Sequence, residues 1–273
     1  MTTDHAAGGV TAGPAFDTSI AHQARVYDYV LGGKDNYAAD RKAAEAMLKI
    51  WPELAFSMRA NRAFLGRAVR YLAAEAGVRQ FLDIGTGIPT GGNTHQVAQA
   101  IASESRVVYV DYDPVVLAHA RALLTSNQAG ATDYIHADLR DPEAILAQAR
   151  QLLDFTKPVA LTLLAILHAI PDSDDPHAIV ARLMERLPSG SYLALSLLGR
   201  EFLAPEKLKE VEDTSSRMIQ GQFAWRSRDQ VERFFDGMDL VAPGLVRVED
   251  WRPEPGTDET GESPLWGTVG RKR

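Results

Sequence analysis

The sequence has no cysteine among its 273 residues. This absence excludes a disulfide scaffold, a cysteine-ligated zinc site, an iron–sulfur cluster and a thiol nucleophile. Positive charge is also in short supply, because 29 Lys and Arg residues stand against 36 Asp and Glu residues, a net charge of −7. That balance argues against nucleic acid as a partner, since nucleic-acid binders need basic surface to neutralise phosphates.

Long hydrophobic runs are absent as well. The longest extends from Pro158 to Ile170 and includes His168, whereas a helix needs about 20 apolar residues to span a bilayer. The segment Met1–Thr18 is small and polar, without the basic and apolar regions of an export signal. We therefore expect a cytoplasmic protein with no membrane partner, in which residues 1–18 are disordered.

Two patterns divide the rest of the chain. Apolar residues recur at helical spacing over residues 19–76, which predicts a helical N-terminal cap or lid. Over residues 77–273, β-rich runs alternate with helical stretches, which predicts a parallel α/β core and a single domain overall. The predicted strands of this alternation are Gln80–Ile84, Arg106–Asp111, Asp133–Ala137, Val159–Ala165 and Ser191–Leu198.

The C-terminal region breaks the alternation. A helical stretch, Arg228–Phe235, is followed by two β-rich runs, Leu245–Asp250 and Leu265–Gly270, with no helix between them. Strands connected in this way predict an antiparallel pair at a sheet edge.

The most informative motif is the turn after the first predicted strand, GTGIPTGGNT from Gly85 to Thr94. Asn93 stands where a P-loop needs its phosphate-binding lysine. Thr90 stands where a dinucleotide fold needs a small residue, and Pro89 removes a backbone N–H. A nucleoside triphosphate in a P-loop and a dinucleotide such as NAD are thus both disfavoured as ligands. The turn and the adjacent Asp83 favour S-adenosylmethionine, which has an ammonium and a carboxylate and no phosphate.

Two more acids follow neighbouring predicted strands. Asp111 ends the second strand, where a carboxylate can accept both ribose hydroxyls, and Tyr112 beside it can lie against the adenine. Asp138 follows the third strand and is predicted to accept from the adenine amine. The carboxyl ends of parallel strands meet at one edge of a sheet, so we expect these residues to form one site with Asp83. Any one of them alone is equally typical of a turn or a helix cap.

With these motifs the chain resembles class I S-adenosylmethionine-dependent methyltransferases. More narrowly, it resembles an actinobacterial family of S-adenosyl methyltransferases whose substrates are unassigned. The resemblance extends from Ser19 to Arg273 and is carried by ARVYDYVLGGKDNY (24–37), Asp40-Arg41, NRAF (61–64), QFLDIGTG (80–87), VDYDP (110–114), PGLV (243–246) and WRP (251–253).

The resemblance implies a Rossmann-like seven-stranded methyltransferase sheet of order 3-2-1-4-5-7-6, with one antiparallel strand and an N-terminal helical cap. It also implies S-adenosyl-L-methionine as the cofactor, but it does not indicate the methyl acceptor. The candidate cofactor-binding residues are Asp83, Gly85, Thr86, Gly87, Asp111, Tyr112, Asp138, Leu139 and Ala165.

Catalytic candidates are fewer. His168 lies just past the fourth predicted strand and is the best single candidate for a general base, although a core or loop histidine hydrogen-bonded to backbone is the favoured interpretation. The acidic segment 172–175 with His177 has the residue types that bind a divalent metal. However, Asp175-Pro176 is typical of a helix cap, so we expect no metal.

The N-terminal block offers candidates for the acceptor site. Four polar side chains flank the Gly32-Gly33 break and predict a lid that forms one wall of the acceptor pocket: Tyr27, Tyr29, Asn36 and Tyr37. An ordinary helical layer is the alternative. Three arginines on one helical stretch, Arg62, Arg67 and Arg70, can meet an anionic acceptor, but a solvated face is favoured. The same interpretation is favoured for Arg226.

Taken together, the sequence favours S-adenosylmethionine-dependent O- or N-methylation of a small-molecule acceptor. Two alternatives stay open: a non-catalytic protein that binds S-adenosylmethionine in a regulatory role, and an NAD-dependent oxidoreductase. A homodimer is compatible with the sequence but not indicated by it.

Overall fold

The computed structural model describes residues 17–123, 129–219, 223–254, 256 and 261–273. The segment predicted to be disordered, 1–18, lies outside these ranges except for its last two residues. Within the described ranges, no helix combines the length and the apolar character that crossing a membrane requires.

Three helices precede the first strand in the described part of the chain: α1 (Gln23–Val30), α2 (Ala38–Ile50) and α3 (Leu54–Ala74). The Gly32-Gly33 break ends α1, as predicted, and Trp51-Pro52 separates α2 from α3. The buried carboxylate of Asp40 ties α1 to α2, because it accepts from the backbone N–H of His22 at 2.9 Å and pairs with Arg25 at 3.3 Å.

The strands are β1 (Gln80–Ile84), β2 (Arg106–Asp111), β3 (Ala131–His136), β4 (Ala160–Leu164), β5 (Tyr192–Leu198), β6 (Met238–Leu240), β7 (Val246–Arg247) and β8 (Leu265–Lys272). They form one sheet of order β3-β2-β1-β4-β5-β8-β6, with β7 paired to β8. β1 to β5 are parallel, and β8 is antiparallel to its neighbours. Apart from the two-residue β7, this is the predicted seven-stranded order with one antiparallel strand.

The remaining helices connect the strands: α4 (Thr94–Ile101), α5 (Pro114–Leu123), α6 (Pro142–Ala149), α7 (Pro176–Glu185), α8 (Pro205–Met218) and α9 (Arg228–Glu232). The sequence pattern predicts a helix over Pro114–Ser126, and its predicted end lies outside the described residues. Asp113, Asp141 and Asp175 each accept a backbone N–H from the first turn of the helix they precede. The capping role predicted for Asp175 is confirmed.

The prediction for the C-terminal strands is partly wrong. Only Val246–Arg247 of the predicted strand 245–250 pairs with β8, and the edge strand is β6. The strand ends there because residues Val248–Asp250 form a turn of 3-10 helix, and Arg67 of α3 donates to the carbonyls of Val248 at 2.5 Å and Trp251 at 2.8 Å. These bonds also show that the solvated-face interpretation of Arg67 is wrong.

The hydrophobic core lies on both faces of the sheet. On one face, Met47 of α2 and Phe64 and Leu72 of α3 pack with sheet residues and Trp251. On the other face, the buried residues of α6 and α7 pack against the sheet. The N-terminal helices therefore share a core with the sheet, and they hold α1 beside the carboxyl ends of the strands.

Candidate active site

A cavity of about 380 Å³ opens at the carboxyl ends of β1, β2 and β4. We call it the large cavity. All of the predicted cofactor-binding residues lie in its lining: Asp83, Gly85, Thr86, Gly87, Asp111, Tyr112, Asp138, Leu139 and Ala165. Residues of α1 and α3 close one side, so the large cavity lies between the sheet edge and the N-terminal helices.

The glycine turn forms the floor of the large cavity. Gly85 has φ +78, and a side-chain carbon there would lie 2.6 Å from the side chain of Ile166. Gly87 has φ +65, but a side-chain carbon there would meet no atom within 4 Å. Gly85 is therefore required by packing, whereas the backbone at Gly87 is open to a ligand.

Asp111 holds this turn in place. Its Oδ2 accepts from the backbone N–H of Gly87 at 2.9 Å, and its Oδ1 accepts from the backbone N–H of Asp113 at 2.9 Å. Each carboxylate oxygen can accept a further hydrogen bond. Burial raises the pKa of Asp111. The two remaining acceptor positions suit a pair of vicinal hydroxyls.

Asp83 and Arg62 place opposite charges along the same cavity. The buried carboxylate of Asp83 accepts from Thr162 Oγ1 at 2.8 Å and Thr94 Oγ1 at 2.6 Å, and burial raises its pKa. The solvated-face interpretation of Arg62 is wrong, because its guanidinium donates to the carbonyl of Gly91 at 2.9 Å and lines the cavity. A carboxylate and a guanidinium in one cavity suit an amino acid with both of its charges.

Tyr112 and Asp138 line another part of the large cavity. The Asp138 carboxylate accepts from the guanidinium of Arg140 at 3.0 Å, beside the half-exposed ring of Tyr112. His22, just before α1, bonds to Tyr112 through Nε2 and lies 2.9 Å from the Asp113 carboxylate through Nδ1. His22 therefore joins the N-terminal helices to the end of β2 across the rim of the large cavity.

A second cavity, which we call the small cavity, has a volume of about 70 Å³. Its wall is mostly apolar and includes Val26, Met47, Trp51, Leu54 and Met58. Four residues line both cavities: Gln23, Tyr27, Ala165 and Phe223. The small cavity thus adjoins the large one beside the end of β4.

His168 lines the small cavity and not the large one. Its buried ring lies with Nε2 2.8 Å from the side-chain nitrogen of Gln23. Burial, together with the nearby charge of Arg226, lowers the pKa of His168 to about 3. The ring is neutral at physiological pH.

Of the predicted lid residues, only Tyr27 lines either cavity, and its hydroxyl donates to the carbonyl of Met58 at 2.8 Å. Asn36 donates to the buried Asp28, Tyr37 caps α2, and Tyr29 bonds to the exposed Glu45. The latter three connect α1 with α2 and the turn between them, and they line neither cavity. Their spacing around Gly32-Gly33 reflects this local role.

The acidic segment after β4 is used for structure. Asp172 pairs with Arg226 and Asp174 with Arg140, while Asp175 caps α7. Arg226 is fully buried and also donates to the carbonyls of Leu167 and Ile170, so the solvated-face interpretation of this arginine is wrong. Among the described residues, no group of three or more His, Asp or Glu side chains is arranged to hold a metal ion.

The large cavity fits S-adenosylmethionine on these observations. It has an open glycine backbone, a carboxylate with two free acceptor positions, and a carboxylate and guanidinium for the amino acid end. Sequence reasoning missed Gln23 and favoured a solvated face for Arg62. The signal for Arg62 was its place in the NRAF motif, whereas nothing in the sequence around Gln23 distinguishes it.

A family model of S-adenosyl methyltransferases matches residues 10–273. A search of curated proteins found no match. Among solved structures, a DUF574 family protein from Streptomyces avermitilis is 49% identical, with a TM-score of 0.90, over 94% of this chain and 99% of its own. A candidate methyltransferase from Thermobifida fusca is 39% identical, with a TM-score of 0.86, over 97% of this chain and 100% of its own.

The family match covers nearly the whole chain, and both structures share its fold throughout. The family match favours S-adenosyl-L-methionine over NAD as the cofactor, in agreement with Thr90 and Pro89 in the glycine turn. The chain belongs to the S-adenosyl methyltransferase family and is an S-adenosyl-L-methionine-dependent methyltransferase.

Proposed function

We propose that this methyltransferase methylates an oxygen or a nitrogen of a small molecule. In the proposal the cofactor occupies the large cavity, and the acceptor reaches it from the small cavity. The observation that carries the proposal is the junction between the two, where Gln23, Tyr27, Ala165 and Phe223 line both.

The cofactor orientation follows from the polar groups of the large cavity. Asp111 accepts the two ribose hydroxyls, and Tyr112 and Asp138 contact the adenine. Asp83 and Arg62 receive the ammonium and the carboxylate of the amino acid end, so that each charge meets its opposite. In this orientation the middle of the cofactor, which carries the sulfonium, would lie beside Ala165.

The chain's own contribution to the reaction is alignment. S-adenosylmethionine supplies, when bound, a methyl group on a sulfonium that a nucleophile attacks in line. Tyr27 and Phe223 form the wall past which the acceptor must approach, and the apolar side chains behind them surround the apolar part of the acceptor. Holding two reactants in a fixed geometry accounts for a large part of such a rate acceleration.

The small cavity limits the size and polarity of the acceptor. Its volume of about 70 Å³ and its walls of Met47, Trp51 and Leu54 suit a short apolar group. A polymer would need an open, polar and, for nucleic acid, basic surface. The net charge of −7 is unfavourable for such a surface.

We extend the proposal to the N-terminal helices, which act as a lid over the bound cofactor. His22, Gln23 and Ala24 line the large cavity from above the strand ends, and His22 joins them to Tyr112 and Asp113. The cofactor would then be held by the strands on one side and by α1 on the other.

Transfer of labelled methyl groups tests the proposal. Purified protein is incubated with methyl-labelled S-adenosylmethionine and a cell extract that has been separated into small molecules, RNA and protein. We expect label in the small-molecule fraction, and none with the Asp111→Ala variant. Label confined to RNA or protein would contradict the proposal and leave the methyltransferase assignment intact.

A further inference from the structure

Gln23 has an unusual set of hydrogen bonds at the junction of the two cavities. Its side-chain nitrogen lies 3.2 Å from the carbonyl oxygen of Ala165 and 2.8 Å from Nε2 of His168. A carboxamide nitrogen carries two hydrogens and accepts no hydrogen bond. Both hydrogens are therefore in use, and Nε2 of His168 is the acceptor of one of them.

These contacts also fix which way the amide faces. With the amide reversed, Oε1 of Gln23 would lie against the carbonyl oxygen of Ala165, and two acceptors would repel each other. In the observed orientation Oε1 receives no hydrogen bond from any residue in the described ranges. Gln23 lines both cavities, and its carbonyl oxygen thus has lone pairs free to accept a hydrogen bond there.

Ala165 contributes to this arrangement through its backbone. It follows β4 with φ +53, a conformation that costs a residue with a side chain free energy. Its N–H bonds to Ser196 while its carbonyl accepts from Gln23. Strained backbone that persists in a packed structure is typical of functional sites.

His168 is poorly suited to be the general base in this geometry. The lone pair of Nε2 is taken by Gln23, so the ring hydrogen lies on Nδ1, which is buried and has no partner among the described residues. Taking up a proton would break the bond to Gln23 and create a buried cation near Arg226. The position of His168 is better explained by its effect on Gln23.

We propose that Oε1 of Gln23 accepts the O–H or N–H of the methyl acceptor, and that acceptors are small molecules with such a group on a short apolar arm. The inference rests on the proposed function and adds the substrate class. The arm enters the small cavity. Gln23 is the orienting residue, and His168 is a positioning residue that holds its amide.

The size of the small cavity sets the length of the arm. A single water needs roughly 10–15 Å³ of such space, and a cavity of about 150 Å³ holds benzene. A volume of about 70 Å³ therefore holds several water molecules' worth of space and suits a short branched alkyl group.

The reaction balances without a further reactant. An amine first loses the proton of its ammonium form to solvent water, whereas an alcohol reacts as it is. A lone pair of the acceptor atom then forms the bond to the methyl carbon, and the carbon–sulfur bond breaks with its electron pair remaining on sulfur. The acceptor atom then carries a positive charge and loses its proton to solvent water. Gln23 fixes the direction of the O–H or N–H bond, and with it the direction of the attacking lone pair.

The first test uses three probes of nearly equal shape. Isoamyl alcohol, isoamylamine and isoamyl methyl ether are titrated into protein loaded with S-adenosylhomocysteine, and binding is followed by ligand-observed NMR. We expect the alcohol to bind at least about fivefold more tightly than the ether, the effect of one neutral hydrogen bond. The amine, which is an ammonium ion at neutral pH, should exceed the ether by at least as much, through a charge-assisted bond to the same oxygen. Equal binding of all three would overturn the inference and leave small-molecule methylation standing.

Failure of all three probes to bind would also overturn the inference, because the small cavity would then not receive the arm. The methyl-labelling experiment decides the proposed function separately. A Gln23→Met variant, similar in size but without the acceptor oxygen, should bind the alcohol and the ether equally. Gln148→Met, at an exposed glutamine of α6, is the matched control and should keep the preference.

The second test addresses His168, first in the free protein and then with the alcohol and ether probes. Nitrogen-15 NMR of the imidazole should show a neutral ring with hydrogen on Nδ1 that does not titrate between about pH 5 and 8. His168→Gln, which retains an acceptor, should keep part of the preference for the alcohol, whereas His168→Leu should lose it. A ring that titrates near neutral pH, or equal loss in both variants, would overturn the positioning role.

Discussion

Asp111 and Gly87 are joined by a hydrogen bond of 2.9 Å from the glycine N–H to the carboxylate. The bond connects the end of β2 to the turn after β1, so the carboxylate that faces the large cavity also shapes its floor. Loss of this side chain should disturb both the turn and the ribose contacts.

We therefore expect Asp111→Ala to weaken the binding of S-adenosylhomocysteine by about 10- to 100-fold, the effect of losing hydrogen bonds to a charged group. Isothermal titration calorimetry measures this directly. The control is Asp133→Ala, at an exposed aspartate of the neighbouring strand that lies outside the lining of the large cavity. Similar losses in the two variants would contradict the role given to Asp111.

Asp83 predicts a pH dependence of binding. Burial raises its pKa above the ordinary 3.8, and only the charged form pairs with an ammonium. Affinity for S-adenosylhomocysteine should thus fall as the pH decreases from neutral toward that raised pKa. Methylthioadenosine, which lacks the amino acid end, shows only the contribution of Asp111 and serves as the reference ligand.

The isosteric Asp83→Asn variant should bind S-adenosylhomocysteine more weakly and lose that extra pH dependence. The free energy of unfolding of the wild type should depend on pH in the opposite direction to its affinity. A carboxyl whose pKa is raised by folding makes the free energy of unfolding decrease as the pH rises through the interval above 3.8. The variant should lack this decrease, which urea denaturation at several pH values would measure. A wild-type pH profile matching that of the variant would contradict the assignment.

Arg62 should affect the binding of only one end of the cofactor, the amino acid end. We expect Arg62→Ala to lower the affinity for S-adenosylhomocysteine at least about tenfold, because the carboxylate loses its charged partner. The affinity for methylthioadenosine should change by less than about twofold. Arg70→Ala, on the same helix but paired with Glu254 at the surface, is the control. Equal effects on both ligands would mean that Arg62 acts on the fold and not on the carboxylate.

His22 provides a test of the lid. Because its ring joins α1 to Tyr112 and Asp113, His22→Ala should speed the release of S-adenosylhomocysteine about tenfold in stopped-flow experiments, with a smaller effect on the association rate. His119→Ala, on α5 and outside both cavity linings, should release the ligand at the wild-type rate. An unchanged release rate in His22→Ala would argue for a static helical layer.

The sheet could be predicted because its strands carry strong local signals. β1 and β2 are apolar runs between polar turns, and their observed bounds match the predicted ones. α8 was not predicted, since it is mostly polar and buries only Val211 and Ser215. Such a helix depends on its neighbours and leaves little periodicity in the sequence.

The site could be predicted only where its residues follow strands. Asp83, Asp111 and Asp138 meet because parallel strands end at one edge, a rule that needs no three-dimensional detail. Gln23 acquires its role from Ala165 and His168, more than a hundred residues away in the sequence. Arg62 resembles the exposed arginines of its helix until the fold places it beside Asp83.

The most direct test of the account is a crystal structure of the protein with S-adenosylhomocysteine. We expect the ribose hydroxyls on Asp111, the amino acid end between Asp83 and Arg62, and the sulfur directed toward Ala165 and the small cavity. A ligand bound outside the large cavity, or bound with its amino acid end at Asp138, would contradict the account.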